Sequence, residues 1–272
     1  MERDITRAML TFRDFITGFR KLEIDHSRSI LAHASLSAFG EVHGGAETIV
    51  GAALTSFDSL IMPVFTLKTM VIPEAGPENN GVVYGSGKDA NRMAEFFQPD
   101  MPGDRLMGRV AETLRRHPKT RRSSHPILSF TGVNADQALE AQTIVEPLAP
   151  IRVLTENNGW VLLLGVGNSV NTSIHYAESL SGRKQFVRWA LTQQGVVECP
   201  GYPGCSDGFQ ALDLHLDGVT RRVVIGSAMV QAIPLVDLVE IVKTCLAADH
   251  FMLLCQRSSC ERCNAVRATM QT

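Results

Sequence analysis

No apolar run in this 272-residue sequence approaches the ~18 residues that a membrane-spanning helix needs. Charge of one sign is also missing: 26 Lys and Arg stand against 28 Asp and Glu, a net charge of −2. That balance leaves no basic footprint for nucleic acid, so neither nucleic acid nor membrane is expected as a partner. The opening residues, MERDITRAML, carry acids and lack an apolar h-region, so no signal peptide is read and a soluble cytoplasmic protein is expected. Six cysteines in a cytosolic chain speak against a disulfide framework. The phosphate-loop pattern is incomplete as well. Around GSGKDA (85–90), Val82 stands where glycine is required and Asp89 where Ser or Thr is required. What the chain has in quantity is apolar residues, 44% of the total, enough to bury a full core.

Periodicity organises the chain. Ile5, Met9, Phe12, Ile16 and Phe19 recur at helical spacing and predict an opening amphipathic helix. Ser29–Ala34 reads as a strand, Ala46–Leu54 as a helix after a glycine-bounded turn, and Ser59–Val64 as a buried strand, which together form a βαβ unit. Residues 68–104 carry five glycines and four prolines with little periodicity, the composition of a lid or pocket wall. Helices are expected at Leu106–Arg116, Ala135–Ala141, Pro150–Thr155, Asp207–Leu214 and Pro234–Leu246. Further strands are expected at Ile127–Phe130, Trp160–Leu164, Gln185–Trp189, Arg222–Ile225 and Met252–Leu254. No linker divides the chain, so 1–272 reads as a single domain.

The chemistry concentrates after the apolar run WVLLL (160–164). There GVGNSVNTSIHYAE places His175 and Glu178 three apart where a helix starts, on one helical face. A histidine held by a carboxylate at the mouth of an open sheet is a general base in waiting. A surface His–Glu pair is the alternative. LAHASLSAFGEVHGG (31–45) ends a strand at His33 and passes through Ser35 and Ser37 to glycines and a helix. Small residues there let backbone N–H groups approach a phosphate; an ordinary β–α turn is the alternative. In RRSSHP (121–126) Arg122 can hold a phosphate or carboxylate, and His125 is a base or a structural hydrogen-bonder.

Four ordered blocks now resemble the aminoglycoside 3-N-acetyltransferase family, in its bacillus-like and environmental branch: AHASLSAFGEVHGG (32–45), LIMPVFT (60–66), RRSSHP (121–126) and LLLGVGNSVNTSIHYAE (162–178). FFQPDMPGDRLMGRVAETLRR (96–116) is similar to the same family. The motifs of two other acetyltransferase types, R/Q-x-x-G-x-G/A and R-G-G-x-C, are absent. The resemblance implies an α/β fold, three-layer α/β/α with a mostly parallel central sheet, plus additional strands and long loops on the substrate side. It implies direct acetyl transfer from acetyl-coenzyme A to the 3-amine of 2-deoxystreptamine, conferring antibiotic resistance. A different metabolite amine as acceptor, or a non-catalytic coenzyme A-binding protein, are the alternatives. It assigns His175 and Glu178 as the catalytic pair. His33, Ala34, Ser35, Leu36, Ser37, Thr66, Arg122 and Ser123 become contacts for the cosubstrate acetyl-CoA. Glu178, Asn171 and Asp207 are expected to face the aminoglycoside, with Glu112 a further acid placed by guess. Homo-oligomerisation is left open.

The cysteines bear on metal. Cys255, Cys260 and Cys263 are spaced C-x4-C-x2-C, and Cys199 and Cys205 flank a Pro/Gly turn. Four thiolates from two such knuckles would make a structural zinc site. Yet the Cys199–Cys205 spacing is longer than the usual knuckle, so buried or free thiols are the expectation and no residue is assigned as a metal ligand. A nucleophilic Cys205 partnered by His175 is the remaining, weaker reading.

Overall fold

The computed structural model describes residues 9–269, so Ile5 lies outside the described residues. Ten strands are present: β1 (Ser29–Ala34), β2 (Ser59–Pro63), β3 (Met70–Val71), β4 (Arg121–Arg122), β5 (Phe130–Val133), β6 (Trp160–Leu164), β7 (Phe186–Thr192), β8 (Gly195–Tyr202), β9 (Arg221–Ile225) and β10 (Ala228–Pro234). The α-helices are α1 (Phe12–Lys21), α2 (Gly45–Ser56), α3 (Lys88–Arg92), α4 (Gly108–Arg115), α5 (Asp136–Glu140), α6 (Ala149–Glu156), α7 (Thr172–Leu180), α8 (Asp213–Leu216), α9 (Leu235–Ala248) and α10 (Glu261–Thr269). They form the expected α/β fold around a seven-stranded sheet of order β4-β5-β2-β1-β6-β10-β9. Parallel pairing is confined to the central three strands, β2-β1-β6, and both flanks are antiparallel, so the sheet is mixed and the expectation of a mostly parallel one is corrected.

The period-two geometry of the strands divides their side chains between two cores. Ile30 and Ala32 of β1, Leu60 and Met62 of β2 and Leu162 and Leu164 of β6 pack toward α1, α2 and α4. Leu31, Ile61, Val161 and Leu163 face the opposite side, toward α5, α6, α7 and α9. Because both faces are covered, these strands are apolar throughout rather than alternating. A second sheet, β3-β7-β8, supplies the additional strands.

Several expectations need correction. Helix α1 begins only at Phe12, because Asp14 accepts the Thr11 N–H at 2.7 Å and fixes the start there; Met9 precedes it. Ile127–Phe130 is not the strand. Pro126 and a tight turn occupy that run, with His125 Nδ1 accepting the N–H groups of Ile127 (3.1 Å) and Leu128 (3.0 Å), and pairing starts at Phe130. Met252–Leu254 is a turn, with Leu253 at φ 72°. Asp207–Leu214 divides into a 3-10 turn, Phe209–Leu212, and α8. β8, absent from the sequence reading, tolerates Pro200 because it is the outer strand of its sheet.

One glycine is tightly constrained. Gly165, which ends β6, has φ 69°, and a Cβ there would stand 2.6 Å from Ala38 Cβ. Gly165→Ala is therefore expected to lower stability by about 2 kcal/mol from backbone strain and overlap together. Urea unfolding measures this, and a change under about 0.5 kcal/mol would show that the loop relaxes.

Candidate active site

The carboxyl ends of β1 and β6 lie side by side, Ala34 opposite Leu164. The chain leaves β1 for α2 on one face and β6 for α7 on the other, so a crevice opens between the two exits. Ser35 is held to β6 by its N–H on Leu164 O at 2.9 Å. A cavity of about 990 Å³ fills this crevice, and His33, Ala34, Ser35, Leu36, Ser37, Asn171, His175 and Asp207 all line it.

Helix α7 starts at Asn171, whose side chain accepts the Ser173 N–H at 3.2 Å and so caps the first turn. His175 is thereby set one turn in, buried yet reaching the cavity. Its Nδ1 lies 2.9 Å from Glu178 Oε2. A carboxylate only accepts, so Nδ1 carries the hydrogen and Nε2 keeps its lone pair. Phe209 packs edge-on against the imidazole with centroids 4.7 Å apart. Glu178 Oε1 in turn lies 3.3 Å from Arg183 Nε. Arg183 also donates from Nη1 to His250 O and from Nη2 to Met252 O, both at 2.8 Å. Both side chains of this ion pair are at most 3% exposed. Arg183 escapes sequence reading because its carbonyl partners lie 67 and 69 residues away. Glu178 stands behind His175 and does not line the cavity, which corrects its assignment to substrate contact.

Three further expectations meet side chains that are engaged elsewhere. Thr66 is fully buried and donates its hydroxyl to Pro126 O at 2.7 Å. Ser123 Oγ accepts the Phe130 N–H at 2.9 Å. Arg122 clasps the carbonyls of Val64, Pro99 and Met101 together with Ser129 Oγ, and burial pushes its pKa down to about 10. None of the three lines the cavity, so their assignment to the cosubstrate is corrected to a structural role in holding the 99–104 segment and the β5 turn. Asn171 and Asp207 do line it, Asp207 paired with Arg257. His125 also acts locally: its Nδ1 forms the turn before β5.

A second cavity, of about 1180 Å³, adjoins the first and shares Leu36, Gly108 and Arg109 with it. Lys68, Arg105, Arg109 and Arg116 line it, and so does Glu112, which is bound to Arg115 and Arg116 and faces away from the imidazole cavity. Arg105 and Arg109 make no ion pair among the described residues.

Comparison with known proteins places this geometry. A family model described as aminoglycoside 3-N-acetyltransferase matches residues 31–247. Aminoglycoside N(3)-acetyltransferase III from Salmonella sp is 27% identical over 235 residues, covering 75% of this chain and 79% of the relative. Aminoglycoside N(3)-acetyltransferase IX from Micromonospora chalcea is 32% identical over 175 residues, 59% of each. Among solved structures, the AAC(3)-IVa apoenzyme superposes with a TM-score of 0.79 at 23% identity, over 97% of this chain and 99% of that one. AAC-IIIb, solved as a binary complex with CoASH, superposes with a TM-score of 0.71 at 20% identity, over 89% and 97%.

Two buried histidines make stability depend on pH. Burial holds His33 down to about 3 and His125 down to about 4, from an ordinary 6.5. The unfolded chain thus takes up protons below pH 6.5 that the folded chain refuses until about 4, and stability falls as pH drops through that window. His125→Asn keeps an acceptor for the turn and removes the titration. Its unfolding free energy, measured by denaturant at several pH values, is expected to fall less steeply than wild type by about 1.4 kcal/mol per pH unit between 6.5 and 4. Equal slopes would overturn the assignment of this proton uptake to His125.

Proposed function

Because the chain belongs to the aminoglycoside 3-N-acetyltransferase family, we propose that it transfers an acetyl group from acetyl-coenzyme A to an amine, with His175 as general base. The observation that carries this reading is the buried line Arg183–Glu178–His175, which ends on the free Nε2 at the floor of the crevice.

Glu178 holds the imidazole in the tautomer that bases need, and Arg183 holds Glu178. An ammonium ion has no lone pair and cannot attack. Nε2 removes a proton from the acceptor amine. The nitrogen then adds to the thioester carbonyl, a C–N bond forms, the C–S bond breaks, and coenzyme A leaves as a thiolate that takes up a proton. No covalent enzyme intermediate is required. The base contributes roughly 10²–10⁴ in rate, and holding amine and thioester together contributes at least as much.

Acetyl-coenzyme A is taken to enter along Ser35, Leu36 and Ser37, where a 3-10 turn begins and its first N–H groups lack partners inside the turn. The adjoining cavity offers Arg105 and Arg109 to the phosphates of the nucleotide end, with Glu47 and Asp104 as acids on the same lining. Residues 68–104 form part of that cavity's wall through Lys68, Glu95, Pro102, Gly103 and Asp104. Residues 1–272 are read as one antibiotic N-acetyltransferase-like domain, a reading supported by α10, whose Cys263 and Val266 pack with Phe186 and Cys205.

AAC(3)-IVa, solved as a mutant with gentamicin and with apramycin, makes an aminoglycoside the first acceptor to consider, at the 3-amine of its deoxystreptamine ring. One observation favours a second acceptor class. Asp207 is the one acid among the residues lining the imidazole cavity, and Arg257 already neutralises it, whereas Arg109 and Arg262 line the same cavity. A polycation wants more negative wall than that. A metabolite amine of lower charge fits the same chemistry.

A thiol-release assay with acetyl-coenzyme A decides between them, run on drugs with a free 3-amine beside mono- and diamines. Turnover of the drugs supports the first acceptor, and turnover of the small amines alone supports the second. In either case His175→Ala is expected to lower kcat by about 10²-fold or more. Glu178→Gln should lower kcat while leaving KM within about twofold, because Glu178 acts through the imidazole and not on the substrate. Bound acetyl-coenzyme A with no turnover of any amine would reduce the chain to a coenzyme A-binding protein.

A further inference from the structure

Four of the six cysteines meet outside the crevice. The sulfurs of Cys205, Cys255, Cys260 and Cys263 all lie within 4.8 Å of one another. They come from three places: the segment after β8, the turn after Leu254, and the first turn of α10. Cys199 is not among them. It packs with Ile127, Leu128 and Ala190 in a different apolar cluster, so the sequence pairing of Cys199 with Cys205 is not the spatial one.

The surroundings of the four sulfurs are more specific than an apolar cluster requires. Asp207 and Arg257, each two residues after one of these cysteines, form an ion pair that ties the Cys205 segment to the Cys255 turn. Arg262 holds Gly204 O at 2.7 Å and Arg267 holds Cys255 O at 2.6 Å, which fixes the backbone beside two of the cysteines. Phe186, Leu254, Ala265 and Val266 close the apolar side. Neutral thiols packed as small hydrophobes need not converge, whereas four sulfurs brought together from separate segments on a fixed backbone are the arrangement of ligands around one shared cation.

We propose that Cys205, Cys255, Cys260 and Cys263 form a tetrahedral tetrathiolate site for one Zn²⁺ ion. A tetrahedron with Zn–S bonds of about 2.3 Å has sulfurs roughly 3.8 Å apart, so the four thiols need to close by about 1 Å at most. Four sulfurs select zinc or iron among common metals, and zinc, without redox chemistry, is the structural choice. All four positions are filled by protein, so the site is closed to substrate. Its effect is mechanical. Cys205 lies within the stretch Tyr202–Asp207 that walls the crevice, and Cys263 follows Arg262, which lines it too. The ion would tie that wall to α10. This inference does not rest on the acetyltransferase reading, and it departs from the expectation that no residue is a metal ligand.

The test is metal analysis of the full chain purified without chelator, by native mass spectrometry and elemental analysis. About one zinc per chain is expected, retained in Cys199→Ser and lost tenfold or more in Cys260→Ser and Cys263→Ser. Loading the demetallated wild type with Co²⁺ should give intense sulfur-to-cobalt charge transfer and visible bands of a tetrahedral thiolate site, a readout that does not depend on whether the serine variants fold. Chelation should lower Tm, and added Zn²⁺ but not Mg²⁺ should restore it. Less than about a tenth of an equivalent of zinc, with no cobalt–thiolate spectrum, would overturn the proposal, as would a disulfide between any two of the four. Stoichiometric iron in place of zinc would overturn the choice of metal.

Discussion

The pairing of β1 with β6 is the constraint on which the rest depends. It is parallel, and the two strands end level, at Ala34 and Leu164. Level ends put two unrelated loops within one crevice, and opposite exits keep the following helices from filling it. The Ser35–Ser37 turn and the His175 helix are brought together by this register, since they lie well over a hundred residues apart in sequence. His33 Nε2, accepting the Thr172 N–H at 3.3 Å, joins the two exits directly. A slip of one residue in this pairing would turn Leu31 and Leu163 to the wrong core and separate the two loops.

Within that frame a single carboxylate does two jobs. Glu178 orients His175 and balances Arg183, and the Glu178–Arg183 pair is buried. Removing one partner of such a buried pair costs about 3–5 kcal/mol because the other charge is stranded. The arrangement is therefore rigid in a sense that the sequence spacing of three cannot convey. Spacing brings His175 and Glu178 to one helical face; only the fold adds the guanidinium, the ring of Phe209 and the carbonyls of residues 250 and 252.

What sequence could show follows from range. The βαβ opening, the WVLLL strand, the His175–Glu178 pair and the β1 exit all rest on local periodicity or spacing, and each lies where local physics puts it. The side-chain roles that needed correction depend mostly on distant partners, and the segment boundaries on local side-chain hydrogen bonds that periodicity does not register. Arg122 looks like an anion-binding cation until three carbonyls from two other segments are seen to occupy it. Thr66 looks like a cleft residue until Pro126 takes its hydroxyl. Glu178 looks like an acidic wall until burial puts it behind the imidazole. The apolar run after Pro126 reads as a strand because periodicity cannot see that His125 folds it into a turn. The cysteines sort by space, not by spacing: Cys199 is the nearer in sequence to Cys205, and the wrong one.

The crevice has two walls of different origin. One side, with His175, is backed by the seven-stranded sheet and its helices. The opposite side, Tyr202–Asp207 and Arg262, hangs from the second sheet and the thiol cluster. The two are joined where Ile127 and Leu128 pack with Ala190 and Cys199. Substitutions in the second wall need not move the imidazole, whose place is set by α7 and by the Glu178–Arg183 pair. The shape of the crevice can thus vary on one side while the His175–Glu178–Arg183 line stays unchanged.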